Sequence, residues 1–67
     1  MKLTAVIVKE AGWFFANNPE TGTTTQGKTF EEALANLREA TELYLEEFPA
    51  TEIEASILTT FEVPVHA

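Results

Sequence analysis

The sequence predicts an α+β domain with the element order β-β-β-α-β, and three observations carry that prediction. A β-branched run at residues 3–10 is followed by Ala11-Gly12 and a second apolar run, Trp13-Phe14-Phe15-Ala16, the pattern of a tight hairpin. Residues 29–48 repeat apolar side chains at helical spacing. After Pro49, Ala55, Ile57, Phe61 and Val63 alternate with Ser56, Thr60 and Glu62 up to Pro64, which reads as a further strand. A chain of 67 residues makes one domain, residues 1–67. Domains this small bury only ~60% of their unfolded surface, so the core is thin and oligomerisation is an expected supplement.

A two-residue loop in the hairpin sets Glu10 opposite Trp13, Lys9 opposite Phe14, Val8 opposite Phe15 and Ile7 opposite Ala16. One face then holds Ala5, Ile7, Phe14 and Ala16, and the other holds Val6, Val8, Trp13 and Phe15. Asn17-Asn18-Pro19-Glu20-Thr21-Gly22 is turn chemistry, and the polar run Thr23-Thr24-Thr25-Gln26 suits an edge strand.

Gly27-Lys28 ends that strand. Thr29, with Glu32 three residues later, fits a capping box, in which each side chain satisfies a backbone N–H of the other. At ~100° per residue, Phe30, Ala33, Leu34, Leu37, Ala40, Thr41, Tyr44, Leu45 and Phe48 form one stripe, with Glu31, Glu32, Arg38, Glu39, Glu42 and Glu46 opposite. Leu43 stands off the stripe, and Pro49 stops the helix near Phe48. A right-handed crossover from the third strand through the helix would dock the fourth strand beside the first. The expected sheet order is 3-2-1-4, with one helix on one face.

Charge and composition exclude several function classes. The formal charge is −7, and residues 31–54 carry all of it, with eight glutamates against the single Arg38. Such a surface repels a phosphate backbone, and Lys2, Lys9, Lys28 and Arg38 are scattered, so nucleic-acid binding is not expected and a basic protein partner is. The chain has no cysteine, which removes disulfides and thiolate metal sites. It has no aspartate and only one histidine, His66, beyond Pro64, so neither a catalytic triad nor a carboxylate metal centre is expected. Glu39, Glu42 and Glu46 share a helix face but make a poor cation cage. No glycine-rich phosphate loop is present, so no catalytic residue, metal or cofactor is expected. The N-terminal apolar run is too short for a signal segment or a membrane span, which points to a cytoplasmic protein.

One helix covers only one face of the sheet, while Val6, Val8, Trp13, Phe15 and Leu58 crowd the other. Apolar patches of that kind mark interfaces, so a homo-oligomer through this face is expected.

Taken together, Gly12-Trp13-Phe14-Phe15-Ala16, the turn Pro19-Glu20-Thr21-Gly22 and the run Gln26-Gly27-Lys28-Thr29-Phe30-Glu31-Glu32-Ala33-Leu34, with Asn36, Leu37, Glu39 and Ala40 following, resemble the HicB-like antitoxins. The likeness spans nearly the whole chain and is most specific in the spacing G-x-T-x-E-E-A-x-x-N. It implies a partial ribonuclease H-like fold without nuclease activity. It also implies binding and neutralisation of a small basic HicA-type toxin that cleaves mRNA; the exposed charge of the helix face makes Glu31, Glu39, Glu42 and Glu46 the expected partner-binding residues. Longer relatives append a DNA-binding module, which this short form lacks, so autoregulation by this chain alone is not expected. The alternative is an orphan, dimeric accessory module that binds some other protein.

Overall fold

Ala11 and Gly12 both take positive φ, 52° and 81°, the pair of left-handed conformations that a two-residue hairpin turn requires. The turn fixes the register of everything before and after it. In the computed structural model, which describes residues 2–49 and 56–65, strand β1 (Val6–Glu10) pairs antiparallel with β2 (Trp13–Asn18). The partners are Ile7 with Ala16, Val8 with Phe15, Lys9 with Phe14 and Glu10 with Trp13, the register read from the sequence. Strand β3 (Thr23–Gly27) adds to the other side of β2, and the sheet order is β1-β2-β3. Helix α1 (Phe30–Glu47) follows. The fold is therefore α+β, with the order 3-2-1 as expected for the first three strands.

The capping box forms, with one displacement. The Thr29 hydroxyl accepts from the Glu32 amide at 3.0 Å, while the Glu32 carboxylate reaches back to the Lys28 amide at 3.1 Å. The helix is then fastened to β3 by two further bonds. Asn36 Nδ2 donates to the Gln26 carbonyl at 2.9 Å, and the Thr25 hydroxyl donates to the Ala33 carbonyl at 3.2 Å. Gly27 lies so close beneath the first turn that a Cβ there would stand 2.6 Å from the Ala33 amide nitrogen. The residues of the most specific motif are thus the ones that dock α1 on the sheet edge.

Ala16, Ala33 and Leu37 make the buried core, with Ile7 and Phe14 packed against it. Of the apolar stripe on α1, only Ala33, Leu37 and Thr41 are fully buried, while Phe30, Leu34, Tyr44 and Phe48 are more than a third exposed. The helix packs chiefly over β3, less over β2 and least over β1. A three-stranded sheet is only about 10 Å across at ~4.8 Å per strand spacing, too narrow to cover the whole stripe. Leu43, off the stripe, is exposed as expected.

Two expectations are corrected. The strand expected at residues 3–10 begins at Val6, and β2 runs on through Asn17 and Asn18, which had read as turn. The reason is pairing with β3, where Thr24 and Thr23 partner Asn17 and Asn18, while the Asn18 side chain turns toward the Thr4 carbonyl. The fourth strand, expected over Ala55–Val63, is not formed in the described part. Residues 56–65 belong to no strand and are exposed throughout; Ala55 and His66 lie outside the described residues. A strand is stable only with a ladder partner and a covered face. No local turn brings this segment to β1, whereas a two-residue turn brings β2. Among the described residues, no helix is long and apolar enough to cross a membrane.

Candidate protein-binding surfaces

Asn18 organises the end of the sheet from which one surface is built. Its side chain is buried, and both ends of the amide are saturated. Nδ2 donates to the Thr4 carbonyl at 2.7 Å and to Glu20 Oε1 at 2.8 Å, and Oδ1 accepts from the Thr21 amide at 2.9 Å and the Thr21 hydroxyl at 2.6 Å. Glu20 in turn accepts from the Thr4 amide and the Thr4 hydroxyl, each at 2.7 Å. The residues before β1 are therefore held in place without being part of the ladder.

Hydrogen bonding to Glu20, first from the Ser56 hydroxyl and then from the Thr4 amide and hydroxyl, holds its carboxyl down to about 2, against an ordinary value of 4.5. With the folded-state value depressed, the unfolded chain binds the proton more readily. The stabilisation is complete above pH 4.5 and is lost as pH falls toward 2. Glu20→Gln is expected to unfold more easily than the parent at pH 6 and to lose that difference through this window. Urea midpoints at intervals of pH check it, and a difference that does not depend on pH refutes the assignment.

Along this tied-down segment lies a groove of about 440 Å³, lined by Leu3, Thr4, Ala5 and Asn18 on one side and by Leu34, Leu37, Arg38, Thr41, Glu42 and Leu45 of α1 on the other. Thr41 Oγ1 is buried here and has no hydrogen-bond partner among the described residues, an arrangement that costs about 1–3 kcal/mol where it holds. The groove was not identified from the sequence. The one signal for it was Thr41 itself, a hydroxyl in the middle of an otherwise apolar stripe.

The second surface is acidic. Glu31, Glu39 and Glu42 surround a shallow depression with Leu34, Ala35 and Arg38, and Glu46 lies one turn beyond Glu42 on the same face. All four glutamates are exposed. Arg38 leans toward Glu42 at 3.5 Å, with both side chains mostly in solvent, so this pair contributes little to stability. Glu32 is engaged in the cap, which leaves Glu31, Glu39 and Glu46 as the carboxylates most available to a partner.

The third surface is the sheet face turned away from α1. The register places Val6, Val8, Trp13 and Phe15 on it together. Val8 and Phe15 are 52% and 36% exposed, and Val6 and Trp13 are half-buried. The Lys28 ammonium sits 3.7 Å from the centre of the Trp13 ring, a cation–π contact that shields part of the indole. Leu58 does not join this group in a sheet, because its segment forms no strand. Among the described residues, no three acidic or histidine side chains are gathered so as to hold a metal ion.

These features define a small β-β-β-α domain with an acidic helix face, an open sheet face and a groove between the segment before β1 and α1. The chain belongs to DUF7387, a family of unknown function, whose profile matches residues 3–65. It is 46% identical over 54 residues to a UPF0150 protein of Helicobacter pylori, covering 79% of this chain and 75% of that one. It is 39% identical over 69 residues to UPF0150 protein Ta0767 of Thermoplasma acidophilum, covering both chains fully. No solved structure gives a significant match.

Proposed function

We propose that this chain is the antitoxin of a toxin–antitoxin pair, a non-catalytic cytoplasmic protein that binds and neutralises a small basic mRNA-cleaving toxin of the HicA type. The observation that supports this reading is the exposed carboxylate face of α1, where Glu31 and Glu39 border an accessible apolar spot at Leu34 and Glu46 continues the face beyond Glu42. An RNA-cleaving protein must carry cations to hold phosphate, and the stems of lysine and arginine cover apolar surface while their heads meet carboxylates. The HicB-like motif and the partial ribonuclease H-like architecture it implies are in keeping with this reading. A second reading, an accessory module with no toxin, is favoured by one observation. Gly27, Thr29, Glu32, Ala33 and Asn36 are all used in docking the helix, so the motif alone speaks for the fold and not for the partner.

Exposed charges act mainly on encounter rate, because they are screened over about 8–10 Å at physiological salt. The association rate with a small basic HicA-type toxin is therefore expected to fall by about tenfold or more as salt is raised from dilute to molar. Replacing Glu31, Glu39 and Glu46 together by glutamine should lower the on-rate about three- to tenfold and leave the off-rate nearly unchanged. Stopped-flow or surface-based kinetics measure both constants. Binding indifferent to salt removes the acidic face from the mechanism, and the absence of any basic binding protein favours the accessory reading.

A further inference from the structure

Ser56 is tied to the body of its own chain. Its hydroxyl donates to Glu20, whose carboxylate also accepts from the Thr4 amide and hydroxyl. Thr4 and Asn18, both bonded to Glu20, line the groove. The segment after Ser56 therefore starts at the groove, yet it stands off it: Ile57 is 90% exposed, Phe61 83% and Val63 64%. In an extended chain successive side chains point to opposite sides, so Ile57, Thr59, Phe61 and Val63 share one side and Leu58, Thr60 and Glu62 the other. The first row is apolar but for one hydroxyl, and the Thr59 hydroxyl reaches only the neighbouring Thr60 carbonyl, at 3.4 Å. On the α1 side the groove offers leucines and the Thr41 hydroxyl, which has no partner among the described residues. Arg38 and Glu42, its charged lining residues, lie mostly in solvent and turn toward each other at 3.5 Å.

We infer that residues 57–63 are a strap that closes over the groove of its own chain, pivoting at Ser56, with Ile57 beside Leu45, the Thr59 hydroxyl toward Thr41 and Phe61 over Leu34 and Leu37. The lengths agree. From Leu45 back to Leu34 the helix rises ~16 Å at ~1.5 Å per residue, and the five extended residues 57–61 span the same ~16 Å at ~3.3 Å each. The alternation then turns Thr60 and Glu62 to solvent and leaves Leu58 as the one apolar side chain facing out. The Ser56 bond selects the chain's own groove over that of another copy. With one end already fixed at Glu20, closure orders only a few residues, whereas a second molecule must also give up its translational and rotational freedom. Closed, the strap hides the groove leucines; open, it offers both its own apolar row and the groove. An apolar segment of a partner thus reaches the groove only by displacing the strap. The strap does not depend on the antitoxin reading.

The chain has no cysteine, so thiols can be placed in pairs. In a single chain, Phe61→Cys with Leu34→Cys is expected to close an internal disulfide under mild oxidation. The control is Phe61→Cys with Leu43→Cys, which is exposed and outside the groove; its yield should be several-fold lower, although fewer residues separate its thiols. The Leu34 yield should be independent of dilution and should fall when Ser56→Ala removes the pivot. A second measurement needs no thiol. Amide exchange over residues 57–63 is expected to be about tenfold or more slower in the unaltered chain than in Phe61→Glu with Val63→Glu, whose charges are costly to bury. A disulfide yield no higher than that of the Leu43 control overturns the inference, and so does exchange that is equal in the two chains, which leaves the segment in solvent. Linkage found only between chains seats the segment in a second copy and overturns it as well. A yield indifferent to Ser56→Ala removes the pivot, and with it the reason for the chain's own groove.

Discussion

Asn18→Ala is expected to destabilise the fold by about 3 kcal/mol, out of the roughly 3–10 kcal/mol that a domain of this length possesses. The Asn18 side chain makes four hydrogen bonds, and its loss leaves the Thr4 carbonyl and the Thr21 amide without their partner in a partly buried site. The alanine would also leave a void where the largest fully buried side chain of the described residues stands. Asn18→Asp separates the two effects. It keeps the volume but replaces the donor by an oxygen that faces the Thr4 carbonyl and the Glu20 carboxylate, both acceptors. If hydrogen bonding dominates, aspartate is as destabilising as alanine at pH 7. If volume dominates, aspartate is nearly neutral. Urea unfolding followed by tryptophan fluorescence, using Trp13 as the reporter, discriminates between them.

Gly27→Ala should be comparably damaging, at about 3 kcal/mol, for a steric reason. The new methyl would meet the Ala33 nitrogen at 2.6 Å and the Ala33 Cα and Glu32 carbonyl carbon at 3.0 Å. These are backbone atoms of the first turn of α1, with no flexible end to move aside. The helix must lift, and in lifting it loosens the Asn36 bond to Gln26 and the Thr25 bond to Ala33, which lie on the same contact. Valine at this position should be worse than alanine. A compensating Ala33→Gly change should not restore stability, because the clash is with backbone and not with the Ala33 methyl. Thermal melts of the single and double variants check this, and rescue by Ala33→Gly refutes the backbone clash.

The sequence made legible whatever is fixed by neighbours along the chain. The Ala11-Gly12 turn set the pairing of Val8 with Phe15 and Ile7 with Ala16, and through it the sorting of Val6, Val8, Trp13 and Phe15 onto one face. Thr29 and Glu32 located the helix start. Spacing gathered Glu31, Glu39 and Glu42 on one side of α1. Each of these rests on dihedral preferences or on periodicity within a few residues, and the chain carries that information locally.

Asn18 shows what was not legible. Its composition reads as a turn residue, and only the return of Thr4, Glu20 and Thr21 to the same point makes it a buried strand residue with every hydrogen-bonding position filled. The glycine of the motif likewise gave no sign of its role until the first turn of α1 was set down upon it. The alternation over residues 55–63 read as a fourth strand, which the described part of that segment does not form, and no turn or spacing could say where it would pair. Local preferences therefore determined the hairpin, its register, the capped helix and the acidic face. Tertiary structure alone decided which polar group is buried, how closely helix and sheet approach, and that the described part of the last segment joins no strand. The physical reason is that a dihedral or a cap is settled over a few bonds, whereas burial and strand pairing depend on surfaces brought together across the whole chain, where the entropy of closing a long loop competes with each contact.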